Sequence, residues 1–150
     1  MAERTELGVL NHLLETCRDG ERGFRFAAEH ATDPEVREIF TTLALQRASF
    51  AEELSPHLRR LGGQANTSGT TAGTIHRGWM NLKDALSNHP DETLLAEAER
   101  GERAAIDTYA GALEGMLPPT VTDIVERQHT TIRGAHARLL EIGSARKLGV

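Results

Sequence analysis

Apolar side chains recur along most of this chain at alternating steps of three and four residues, the spacing of one face of an α-helix. The first run, Leu7, Leu10, Leu14, Cys17, Glu21, Phe24, Ala28 and Ala31, predicts a helix over about residues 4–31. One member of that run is a carboxylate, Glu21, set between Gly20 and Gly23. The second run, Val36, Phe40, Leu43, Arg47, Phe50, Leu54, Leu58 and Leu61, predicts a helix over 34–61 with an arginine near its middle. Between the two, Thr32 and Asp33 offer N-caps, Pro34 suits a first turn, and Glu35 is spaced to complete a capping box from Thr32. Helices joined by so short a turn must pack antiparallel.

Gly62 and Gly63 end the second run, and the polar, glycine-rich stretch that follows has no apolar period. Ala72, Ile75, Trp79, Leu82 and Leu86 then resume the three-four spacing and predict a short amphipathic crossover helix over 71–87, which needs a bundle to lie on. A third long helix is predicted over 91–116, with stripe Leu95, Ala98, Glu102, Ala105, Tyr109, Ala112 and Met116. After the turn at Leu117 to Thr120, a fourth is predicted over 120–142, with stripe Val121, Ile124, Gln128, Ile132, Ala135, Leu139 and Ile142. The polar tail after Ile142 reads as frayed.

The first hairpin falls on the second when shifted by 81 residues. Leu14 then matches Leu95, Gly20 matches Gly101, Glu21 matches Glu102, Arg22 matches Arg103, Leu58 matches Leu139 and Gly62 matches Gly143. The polar intrusions of the two stripes coincide in this alignment.

At 150 residues the chain is long enough to bury a core as a single domain, 1–150, without a disulfide framework. Its one cysteine, Cys17, has no intrachain partner, and with no signal-peptide pattern the expected compartment is the cytoplasm. A net charge of −5 argues against a nucleic-acid partner, and no apolar run is long enough to span a membrane.

Two helical hairpins joined by a long connection describe an all-α, antiparallel four-helix bundle with a crossover, the connectivity of the ferritin-like fold. The segments "CRDGERGF", "LALQRASFAEEL", "GTIHRGWMNLK", "AERGERAAIDTY" and "VERQHTTIRGAHARL" resemble a family of uncharacterised bacterial ferritin-like proteins, filed as a domain of unknown function. That resemblance implies a fold and no activity. The wider ferritin-like relatives hold two iron or manganese ions with one Glu on each of two helices and Glu-x-x-His on each of the other two. Glu21 and Glu102 stand where the single glutamates should be. The Glu-x-x-His positions read Arg47-x-x-Phe50 and Gln128-x-x-Thr131. Arginine cannot ligate a metal. Its guanidinium does match carboxylates, so Arg47 is expected to bridge Glu21 and Glu102 in a polar core layer completed by Gln128.

The leading expectation is therefore a non-catalytic structural or interaction protein without a cofactor, its metal layer converted to ion pairs. A second copy or another protein is the expected partner, and the fold's relatives suggest a stress association. The rival is a divergent di-iron or di-manganese oxidase or storage protein using Glu21, Glu99, Glu102 and His136. The bland reading of the last pair is a hydrogen bond between His136 and Glu99. A literal Glu-x-x-His, Glu126 to His129, is out of phase with its stripe. A third reading places a small-molecule or peptide surface around Arg77, Trp79 and Met80. Cys17 is expected to be an inert core residue.

Overall fold

The computed structural model describes residues 5–63 and 89–147. They form four helices, α1 (Glu6–His30), α2 (Pro34–Arg60), α3 (Pro90–Glu114) and α4 (Pro119–Lys147), with no strand among the described residues. α1 packs along α2 and α3 along α4. Further contacts between α1 and α3, and between α2 and α4, close an all-α four-helix bundle. The crossover helix expected over 71–87, and with it Arg77, Trp79 and Met80, lies outside the described residues.

Local chemistry sets the helix ends. Thr5 Oγ1 accepts from the Gly8 amide at 2.9 Å. Asp33, not Thr32, caps α2 through the Glu35 amide, with Pro34 in the first turn. At the other end of α2, Gly62 adopts φ 87°, and the amides of Gly62 and Gly63 bond back to the carbonyls of Arg59 and Leu58. That pair of bonds is a Schellman ending, which needs the left-handed conformation glycine supplies.

The core falls into two apolar clusters. One contains Leu10, Leu14, Phe50, Leu54, Tyr109 and Ile132, and the other Phe24, Phe40, Leu43, Leu95, Ala98 and Leu139. Each large apolar side chain stabilises the fold by about 1.5–3 kcal/mol on burial. On α1, α2 and α3 the two clusters meet at Gly20, Arg47 and Glu102, so the interior changes from apolar to polar and back along the bundle axis.

Three expectations need correction. α4 does not fray after Ile142 but runs to Lys147, because Arg146 reaches Asp33 at 2.9 Å and Glu92 at 3.0 Å. Met116 is 57 % exposed because α3 has already ended at Glu114. Leu7, in the first turn of α1, is at the rim rather than in the core.

Candidate functional site

Arg47 enters the interior because α2 carries it in phase with Leu43, Phe50 and Leu54. Its aliphatic stem lies across Gly20, where a Cβ would come within 3.2 Å of Arg47 Cγ. The guanidinium meets Glu102 end-on: Nη1 donates to Oε1 at 2.6 Å and Nη2 to Oε2. Arg47 Nε donates to Gln46 Oε1 at 3.2 Å, and Cζ stands 5.2 Å from the centre of the Phe24 ring. Arg47 and Glu102 are 2 % and 1 % exposed. Two ions so thoroughly removed from water require this fork-on-fork geometry to offset their desolvation.

Glu21 does not join them. It sits at the edge of the bundle, where Arg18 Nη1 lies 3.0 Å and Arg25 Nη2 2.6 Å from its carboxylate. The expectation that Arg47 bridges Glu21 and Glu102 is therefore wrong for Glu21. The seam of α1 passes from Cys17 through Gly20 to Phe24, and the slot beside Gly20 is filled by the Arg47 stem. The apparent equivalence of Glu21 and Glu102 across the 81-residue shift is one of sequence, not environment.

Gln128, fully buried on α4, belongs to a second polar chain. Its Nε2 faces Glu53 Oε1 at 2.9 Å and the Phe50 carbonyl at 3.4 Å, both of which only accept. Its Oε1 accordingly accepts from the Tyr109 hydroxyl at 2.7 Å. Tyr109 has then spent its proton, so the Cys17 thiol, 3.0 Å away, donates to the Tyr109 oxygen. Burial pushes the Cys17 thiol up to about 11 despite that bond, and burial and the neighbouring thiol raise Tyr109 well above its usual range. At the wet end, the hydrogen bond from Arg127 holds the Glu53 carboxyl below its ordinary range. A buried thiol raised in this way is a poor nucleophile at neutral pH.

His136 Nε2 lies 2.9 Å from Glu99 Oε1, and Glu99 also accepts from Arg103 at 2.7 Å. Those hydrogen bonds, that of Arg103 foremost, hold the Glu99 carboxyl low. Glu126 is exposed, and the ring of its sequence partner His129 lies parallel to that of Tyr109 instead of turning toward Glu126. Glu99 and His136 thus face each other, while Glu21 and Glu102 are each engaged by different arginines. Among the described residues, no group of three or more His, Cys, Asp or Glu is arranged to hold a metal ion. Glu102, whose two oxygens are both taken by a guanidinium, is no ligand in this arrangement. The described residues do not fit a di-metal pair.

Two buried acids escaped the sequence reading. Asp91, 1 % exposed in the first turn of α3, accepts from the amides of Thr32 and Asp33 at 2.8 Å each and clasps the α1–α2 turn. In sequence it reads as an ordinary acidic first-turn residue. Asp19, 2 % exposed, has no hydrogen-bond partner on either carboxylate oxygen among the described residues. Burial raises its carboxyl to about 6, against the pull of Arg22. Flanking the apolar stripe of α1, Asp19 gave no signal.

No helix of the described residues is long and apolar enough to cross a membrane. The fold is similar to that of a two-domain protein from Anabaena variabilis containing DJ-1/ThiJ/PfpI-like and ferritin-like domains. The TM-score is 0.75 at 17% identity, over 96% of this chain and 37% of that one. This chain therefore spans little more than a third of that protein's length. No curated protein matches it. Residues 5–115, well over half of the sequence, match a defined family, and the chain belongs to it: the domain of unknown function DUF2383.

Proposed function

We propose that this protein is a non-catalytic ferritin-like bundle in which a buried polar layer, Arg47 with Glu102 and beside them Gln128, stands where related bundles carry two metal ions. The observation that carries this reading is the end-on, two-bond pairing of Arg47 with Glu102 between two apolar clusters. A cation entering there would have to displace a guanidinium that already engages both carboxylate oxygens. A polar layer between similar apolar stripes also disfavours sliding of one helix against another, so it specifies register.

Such a frame suits a structural or interaction role, with a second copy of the chain or another protein as partner. The Anabaena protein carries its ferritin-like domain beside a second domain, which supports reading the bundle as a unit that works next to another. A stress association rests on the fold's relatives alone. The test is metal content by elemental analysis after anaerobic incubation with ferrous or manganous ion and gel filtration. The reading expects no stoichiometric metal. About two ions per chain, lost in Glu102→Ala, would overturn it in favour of a di-metal protein.

A further inference from the structure

A recess of about 160 Å³ lies between α1 and α3. Gly20, Gly23 and Phe24 line it from α1, and Ala98, Gly101 and Ala105 from α3, so its walls are mostly apolar and small. The polar side chains that border it are already engaged or out of reach. Arg47 and Glu102 hold one another through both carboxylate oxygens. The Thr16 hydroxyl donates to the His12 carbonyl at 2.8 Å and that of Thr108 to the Ala104 carbonyl at 3.1 Å, each back along its own helix. Asp19 borders the recess, but both its carboxylate oxygens are sealed from anything the size of a water molecule. Water in this space therefore finds few of the about two to four polar partners that fix a buried water. Glycine leaves the room: Gly101 stands within α3, where alanine is the better helix former, and a Cβ there would meet nothing within 4 Å.

We propose that this recess binds a small uncharged molecule that is mainly hydrocarbon, seated against Phe24 and between the glycine and alanine walls of α1 and α3. Size sets the first limit, because an apolar space of this volume takes roughly a benzene-sized body and is too small for a folded segment. Charge sets the second. A cationic head reaches no free carboxylate, and the one guanidinium an anion could meet is already paired with Glu102. Either ion would give up its hydration without a partner to replace it. A metal ion is excluded on the same footing, since no group of three His, Cys, Asp or Glu converges among the described residues. An uncharged apolar body bears no such cost. It gains close contact with the walls and displaces water that they hold poorly. This site does not depend on whether metal binds elsewhere in the bundle.

The experiment titrates the isotopically labelled full chain with toluene, benzylammonium and benzoate in turn, following backbone amide shifts at about pH 7, where the last two are charged. Toluene is expected to move the amides of Gly20, Gly23, Gly101 and Ala105 saturably, and each charged analogue to bind at least about tenfold more weakly. Gly101→Leu, whose side chain fills the recess, should abolish the toluene shifts. Gly111→Leu makes the same change in α3 away from the recess, and should bind toluene as the unaltered chain does. The comparison of the three ligands needs no variant, so it stands even if Gly101→Leu disturbs the fold. Absence of saturable shifts with toluene, equal affinity for either charged analogue, or undiminished binding by Gly101→Leu would overturn the proposal.

Discussion

The hydroxyl of Tyr109 donates to Gln128 Oε1 at 2.7 Å, and that single bond sets the direction of a chain running from the buried Cys17 thiol to Glu53 near the surface. Because the Cys17 and Tyr109 protons each have one acceptor, removing a middle member strands its neighbours. Tyr109→Phe should cost about 1–3 kcal/mol in urea unfolding, the penalty for a buried amide oxygen left unmet. A thiol raised to about 11 is almost wholly protonated at neutral pH. A disulfide reagent should therefore label Cys17 only as fast as the fold opens, and rapidly in denaturant. Rapid labelling of the native chain would contradict the geometry.

Gly20 and Gly111 both interrupt helices, but only Gly20 has a neighbour in the way. A Cβ at Gly111 meets nothing within 4 Å, so Gly111→Ala should stabilise by about 0.5–1 kcal/mol through helix propensity alone. At Gly20 the added methyl presses on Arg47, whose stem cannot yield without loosening its bond to Glu102. Gly20→Ala should be neutral to destabilising, at least about 1 kcal/mol worse than Gly111→Ala. Equal effects in thermal unfolding would mean that Arg47 is free to move.

These two glycines also explain which parts of the bundle were legible in the sequence. A long stripe of apolar residues fixes helix phase, so α2, α3 and α4 were readable, with Arg47, Glu102 and Gln128 facing inward. On α1 the seam position is Gly20, which has no side chain to mark it, and the pattern seemed to pass through Glu21 instead. Asp91 and Arg146 were invisible for another reason. Their partners are Thr32, Asp33 and Glu92, and in sequence an acidic first turn or a basic last turn is complete without a tertiary partner. Asp19 was illegible because its burial arises from packing and from no local period.

Asp91 should be the more sensitive half of the clasp at this end of the bundle. Asp91→Ala leaves the Thr32 and Asp33 amides without their acceptor and should cost about 2–3 kcal/mol. Arg146→Ala removes partly exposed ion pairs and should cost less than about 1 kcal/mol. Chemical denaturation of the two variants checks the order, and a larger loss for Arg146→Ala would reverse it.

The Asp19 carboxyl gives the stability curve a definite sign. Its folded value of about 6 lies above the ordinary 3.8, so between these values the folded chain holds the proton more tightly than the unfolded one. Stability from this group is greatest below about pH 4 and falls as pH rises through about 6, by about 1–3 kcal/mol once solvent screening is allowed for. Asp33, Glu53 and Glu99 are held below their ordinary values and act oppositely, losing their contributions as pH falls through their lowered folded values. Asp19→Asn should be about 1–3 kcal/mol more stable than wild type near pH 8 and lose that advantage near pH 4. Parallel curves for the two proteins would show that Asp19 is hydrated.

The most direct measurement is a double-mutant cycle on the buried pair, by urea unfolding of wild type, Arg47→Met, Glu102→Leu and the double variant. Each single change strands a buried ion and should cost about 3–5 kcal/mol, while the double variant should recover most of that loss, giving a large coupling energy. A single loss below about 1 kcal/mol, or losses that simply add, would mean that Arg47 and Glu102 do not form the dry ion pair that stands in place of metal.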